Sequence, residues 1–264
     1  MRKFFLALSI GGVFFVACSK EPTQSESGVS GGTVRFRTHI LQTKATEMSF
    51  EEGDAVSIFA SDEYGGVLES LNYADNSEYV YKSGEFCPYS SEDGISYPDE
   101  YTSLHFYAVW PYSSSYSGNE LNFSVSQDQT SQDEYAASNL MLARTDAIHS
   151  ETVDLNFDHL MCKVVINIHS DNFPTGDRIC AFNNVYTDVI VNMNDASVTT
   201  TGSQGFVYGS LNGTNSFKAI LPPQTIPAGT QFFLFQIGEN SWQWKPTKAI
   251  ILTSGVEYVY DLSI

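Results

Sequence analysis

Basic residues are scarce in this 264-residue chain: Lys plus Arg number 13 against 31 Asp plus Glu, a formal net charge of −18. So acidic a surface repels phosphate backbones, which excludes nucleic acid as a partner. It also disfavours docking on anionic lipid through charge. Charge of either sign is thin, at 17% of residues against about 25% in an average globular protein. Global disorder is excluded all the same. Aromatics reach 14%, with 15 Tyr and 18 Phe, and that much apolar surface can be buried. No apolar run approaches the ~20 residues that a spanning helix needs.

Enzyme signatures are missing as well. There is no Gly-x-Ser-x-Gly elbow, no His-Glu-x-x-His, no phosphate loop and no dinucleotide fingerprint. No calcium loop appears. His39, His105, His149, His159 and His169 are scattered. His159 lies at a strand junction, and no nucleophile or oxyanion donor is nominated beside it, so a structural role is expected. Glu51-Glu52 and Asp99-Glu100 are carboxylate pairs of the kind that an acidic chain carries in its turns. No cofactor, no metal and no catalytic residue is expected. Cysteine is rare: beyond Cys18 there are only Cys87, Cys162 and Cys180, too few for a disulfide framework. Cys162 alternates with apolar neighbours and reads as a small buried hydrophobe. A Cys162–Cys180 bridge stays open at this point.

What is present begins with a leader. Arg2 and Lys3 precede an apolar run from Phe4 to Val16, which ends in Ala17-Cys18. The pattern resembles a bacterial lipoprotein signal, with residues 1–17 removed and the Cys18 thiol diacylated. Two acyl chains anchor stably where one does not, so the expectation is a protein tethered to a membrane without spanning it. Residues 18–32 are rich in Ser and Gly and read as a flexible tether. The Lys20-Glu21 start resembles the charged signal that sends some lipoproteins to the outer surface.

Beyond the tether the dominant period is two, the mark of half-buried strands. Val34, Phe36, Thr38 and Ile40 alternate with Arg35, Arg37 and His39. Further strands are expected over 55–60, 103–110, 121–125, 153–157, 160–168, 217–221, 231–237 and 256–264. Residues 179–193 hold two strands or one long bent one. On the last segment Val256, Tyr258, Tyr260, Leu262 and Ile264 face inward, against Glu257, Val259 and Asp261. Residues 132–143 are the one helical candidate; 112–119 and 194–205 read as surface loops. Many short strands between Gly, Asn, Ser and Pro turns predict an all-β protein of antiparallel sandwiches. A boundary in the polar stretch 146–150 gives two sandwiches, 33–148 and 149–264. Trp242 and Trp244, two apart, share a strand face. They pack in a core or hairpin, or they stack on sugar rings as glycan contacts.

Several segments together resemble the fimbrillin superfamily, in its minor-fimbrium (Mfa-like) branch of lipoprotein pilins. They are Thr43-Lys44-Ala45-Thr46, Phe50-Glu51-Glu52-Gly53-Asp54, Val56-Ser57-Ile58-Phe59-Ala60 and His105-Phe106-Tyr107-Ala108-Val109-Trp110-Pro111-Tyr112. Ser126-Gln127-Asp128-Gln129, Leu155-Asn156-Phe157-Asp158-His159-Leu160, Ala219-Ile220-Leu221-Pro222-Pro223-Gln224 and Gly255-Val256-Glu257-Tyr258 follow in order. The resemblance implies two tandem transthyretin-like Greek-key β-sandwiches and no catalysis. It implies a stalk, tip or anchor subunit of a surface fimbrium, held at the cell outer membrane by the lipid. Its partners would be other fimbrial subunits or copies of itself, and a host or bacterial surface receptor. The runner-up is a surface glycan-binding lipoprotein. In polymerising relatives a trypsin-like protease cuts beyond the first strand, and a neighbour's strand refills the groove. Here Lys44 and Arg37 are the candidate cut sites, with Lys44 the better placed. The C-terminal strand is the candidate donor.

Overall fold

The computed structural model describes residues 32–40, 49–62 and 66–264. The signal peptide, Cys18, all of the tether but Gly32, and Lys44 lie outside the described residues. The chain runs through β1 (Arg35–Ile40), β2 (Ala55–Ser61), β3 (Ala74–Lys82), β4 (Glu85–Pro88), β5 (His105–Trp110) and β6 (Glu120–Ser124). A short helix α1 (Gln132–Ala137) precedes β7 (Met141–Arg144), β8 (Thr152–His159), β9 (Cys162–His169), β10 (Arg178–Val185) and β11 (Asp188–Asn192). Then come β12 (Val198–Thr201), β13 (Gly205–Tyr208), β14 (Ser210–Leu211), β15 (Ser216–Leu221) and β16 (Thr225–Ile226). The last are β17 (Phe233–Ile237), β18 (Asn240–Trp244), β19 (Ile250–Ile251) and β20 (Glu257–Ser263). The protein is all-β, as its alternation requires.

The first body is one sheet closed into a barrel in the order β1-β4-β3-β2-β5-β7-β8. Closure comes from β1, which lies antiparallel to β4 and parallel to β8. Its inward residues fill the interior: Val34, Phe36, Ile58, Phe106, Leu155 and Phe157 are all fully buried. A closed sheet leaves no free edge. Ser83 and Gly84 both have positive φ, 54° and 95°, and join β3 to β4 in a two-residue turn whose twist suits a hairpin.

In the second body the sheet β13-β10-β17-β18 faces the sheet β14-β15-β9-β20. Phe233 and Phe235 from one meet Phe217 from the other at ring distances of 5.9 and 6.2 Å. A third sheet, β12-β11-β6, adds Val189, Val191 and Leu121 to the same core.

The structure revises several expectations. The expected division at 148/149 falls between β7 and β8, which are hydrogen-bonded neighbours in the barrel. The chain leaves the barrel after Trp110, gives β6 and α1 to the second core, and returns at β7. The loop 112–119 and the hairpin-like middle hid this excursion, because a strand's partner is not written in its own alternation. Not every pair is antiparallel: β1–β8 and β9–β20 are parallel, which the long intervening chain permits. The helix stops at Ala137, capped by Ser131, whose Oγ accepts from the Glu134 amide at 3.2 Å. The following Met141–Arg144 becomes β7. The expected loop 194–205 contains β12, a Thr-rich strand too short and polar to signal itself.

Candidate functional site

The first strand is bound on every side, yet it follows directly on a segment that reads as a tether. Phe36 stands edge-on to Tyr79 and Phe106, with ring centres 5.0 and 5.1 Å away. Such T-shaped contacts place the positive ring edge on a negative face. The Val34 amide donates to Ile95 O at 2.8 Å, and the Arg35 amide to Glu151 O at 3.0 Å. Tyr79 locks the same wall, its phenol oxygen accepting from the Ile95 amide at 3.0 Å. Burial pushes the Tyr79 hydroxyl up to about 12, so it stays protonated.

On the outer face of β1, Arg37 meets its register partner Asp154. Nε lies 2.9 Å from Oδ1, and Nη2 donates to Oδ2 at 3.0 Å. Arg35 reaches Glu85 at 3.5 Å. Both pairs are exposed and add little stability. Their effect is on register, since they tie β1 to each neighbour. Arg37 thus sits in mid-ladder with its guanidinium engaged. Lys44 lies outside the described residues. Asp154 and Glu85 escaped the sequence reading. Only the parallel β1–β8 register shows that an acid between Val153 and Leu155 stands opposite Arg37.

At the other end of the chain, β20 lies parallel to β9 from Glu257↔Lys163 to Ser263↔His169, and among the described residues it has no strand on its other side. Tyr258, Tyr260 and Leu262 are half-buried on the inner face, as the alternation predicted, whereas Val256 and Ile264, also expected inward, flank the strand and are exposed. Glu257 Oε1 lies 3.2 Å from Lys163 Nζ, and the lysine side chain is only 4% exposed. The alternation gave no hint of this buried pair, because it does not show which distant residue a lysine on the opposite face of β9 will meet.

Trp242 and Trp244 do share a face of β18, and it is the inner one. Trp242 stacks on Phe235 at 4.9 Å and 12°. Trp244 tilts against Phe232 and, at 5.1 Å, against Tyr260 of β20. Cys162 and Cys180 are both free. The Cys162 thiol donates to Leu221 O at 3.0 Å, and burial pushes the Cys180 thiol up to about 12. His159 is buried, with Nδ1 3.0 Å from the Asn139 side-chain oxygen. Among the described residues no three His, Cys, Asp or Glu are grouped as metal ligands, and no helix is long and apolar enough to cross a membrane.

Comparison with known proteins agrees with this architecture. Among solved structures, a candidate cell adhesion protein from Bacteroides uniformis superposes with a TM-score of 0.67 at 21% identity, over 88% of this chain and 93% of that one. A candidate cell adhesion protein from Bacteroides ovatus gives 0.71 at 14% identity, over 89% and 92%. A fimbrial protein from Bacteroides vulgatus gives 0.50 at 13%, over 89% and 96%. At these identities the likeness establishes the fold. A search of curated proteins finds no match. A family model for fimbrillin-like proteins matches residues 43–264, almost the whole folded body, and this chain therefore belongs to the fimbrillin-like family.

Proposed function

We propose that this chain is an adhesive structural subunit of a cell-surface fimbrium, joined to its neighbours by exchange of the first strand. Family membership makes it a structural protein and not an enzyme, with other fimbrial subunits as partners. The observation that carries the exchange is the setting of β1. It is the first strand of the chain and a member of the closed barrel, and it is followed by the segment that holds Lys44. Withdrawing it would free the edges of β4 and β8 together and empty the slot of Phe36 between Tyr79 and Phe106. Two open edges flanking apolar slots form a template that an added strand can complete. The donor is β20. It has one neighbour to leave, and Tyr258, Tyr260 and Leu262 alternate as the inward residues of β1 do.

In this reading diacylated Cys18 holds the precursor at the outer membrane, and cleavage after Lys44 releases the subunit for assembly. Arg37 is a poor cut site while its ladder is intact. Limited trypsin treatment of the folded protein tests the idea. The expected result is a new N-terminus at Ala45, followed by fibres under the electron microscope. A cleaved chain that keeps its first strand and stays monomeric would refute the exchange.

A further inference from the structure

The open side of the second body carries a groove of about 410 Å³ between the edge strands β18 and β20, with β19 beneath. Three aromatic side chains line it: Trp244, Tyr258 and Tyr260. Its one charged lining residue is Lys248, and no carboxylate lines it. That composition is unusual in a chain of net charge −18. The neighbouring acids are engaged elsewhere. Glu257 is paired with Lys163, and Asp261 accepts from Asn167 at 3.1 Å and lies 2.9 Å from His169 Nε2. Lys245, also exposed, stands beside Trp244 on the same arm. The arm therefore offers two lysines with no acidic partner among the described residues, on an otherwise acidic molecule.

Ring faces that are half-exposed hold the apolar face of a pyranose, and a lysine beside them selects a carboxylate. We propose that this groove binds a carboxylated sugar, a uronic or sialic acid residue of a surface glycan. The ring stacks on Trp244 and Tyr260, and Lys248 holds its carboxylate. The volume suits a small ligand, toward the lower end of the ~300–1,000 Å³ usual for such sites. The protein's overall charge does not prevent this. Exposed carboxylates farther than about 8 Å from the ligand are screened at physiological salt. Trp242 takes no part, because it is stacked against Phe235 on the core side. The groove exists only while β20 stays on β9. In a polymer built by giving β20 away it would survive on the subunit that donates nothing, which places binding at one end of the fimbrium. That consequence rests on the strand-exchange reading; binding by the monomer does not.

The test uses the intact monomeric protein, titrated with three probes while Trp fluorescence and heat are followed. The probes are oligogalacturonate, its carboxyl-reduced neutral counterpart and sialyllactose. Saturable binding of either acidic probe is expected, weakened about tenfold or more by carboxyl reduction, as loss of a charge-assisted contact implies. Lys248→Gln should bring the acidic probe down to the neutral level with an unchanged thermal melt. Trp244→Phe should weaken both. Whether galacturonate or sialyllactose binds more tightly identifies the sugar. Equal binding of charged and neutral oligomers, or full binding by Lys248→Gln, overturns the proposal. So does a fluorescence change that follows protein concentration and ignores sugar, for then a second copy fills the groove.

Discussion

Both ends of the folded body are strands laid parallel to a central partner, β1 on β8 and β20 on β9, yet they are held by different physics. β1 has a neighbour on each side and buries Val34 and Phe36 completely. Among the described residues β20 has one neighbouring strand, and it leaves Tyr258, Tyr260 and Leu262 half in water. The first is fixed by closure and core packing, the second by a ladder and one buried ion pair. In the proposed exchange, the strand whose removal opens a ring would leave the acceptor, and the strand whose removal only trims an edge would be the donor.

The largest expected effect tests the core side of that contrast. Phe36→Ala empties a slot walled by Tyr79 and Phe106 and should cost about 3–5 kcal/mol. Tyr260→Ala should cost about half as much, because a half-exposed ring buries less apolar area. Urea unfolding of the two variants decides it. Equal losses would mean that β20 is as integral as β1 and a poor donor.

Next comes the ion pair. Glu257→Gln leaves the Lys163 ammonium, at 4% side-chain exposure, facing a neutral amide, and should cost about 3 kcal/mol. Replacing both partners, as Lys163→Met with Glu257→Leu, should recover most of that loss, since desolvation is then no longer incurred. Hydrogen exchange localises the effect. Amides of β20 should speed up in Glu257→Gln, and those of β1 and β8 should not. Faster exchange in β8 would mean that the two bodies open as one unit.

How far these differences can be read from the sequence depends on the range of the interaction. Alternation alone reveals β1, β8 and β20 with their inward faces, because side-chain direction is a local property of a strand. Over 179–193, where the structure has two strands, β10 and β11, it leaves two strands or one long bent one open. It misses β3, whose ADNSEYVYK sequence is polar on both faces at its start, and β4, which is four residues long. It cannot reveal that β6 pairs with β11 and not with the barrel, nor that Lys163 finds Glu257 across nearly a hundred residues. Those facts belong to register between distant segments. The candidate site follows the same rule. Val34 and Phe36 are legible as groove fillers, whereas Tyr79, Asp154 and Glu85, which hold them, are not.

The smallest expected effect concerns the point where the chain passes from one region to the other. His159 ends β8, and the next residue's amide donates to Leu140 O at 2.9 Å. The Asn139 side-chain oxygen accepts from Nδ1, so Nδ1 carries the ring proton. Nε2 is then bare, buried and without a hydrogen-bond partner. Burial lowers the pKa of the ring below its ordinary 6.5, and the charge of Asp158 opposes that shift without reversing it. An unfolded chain takes up the proton as pH falls past 6.5, while the folded one resists until its depressed pKa is reached. The contribution of the neutral ring is therefore complete above 6.5 and is lost as pH falls through the folded value. Asp99, Asp128, Asp195 and Asp261 have pKa values lowered from 3.8 by their hydrogen bonds, so their contributions fade only in stronger acid. Thermal melts should thus decline in two separate steps. His159→Gln, which keeps a donor for Asn139 and cannot take up a proton, should flatten the upper step and leave the lower one. An upper step that persists in the variant would place the acid sensitivity on another histidine.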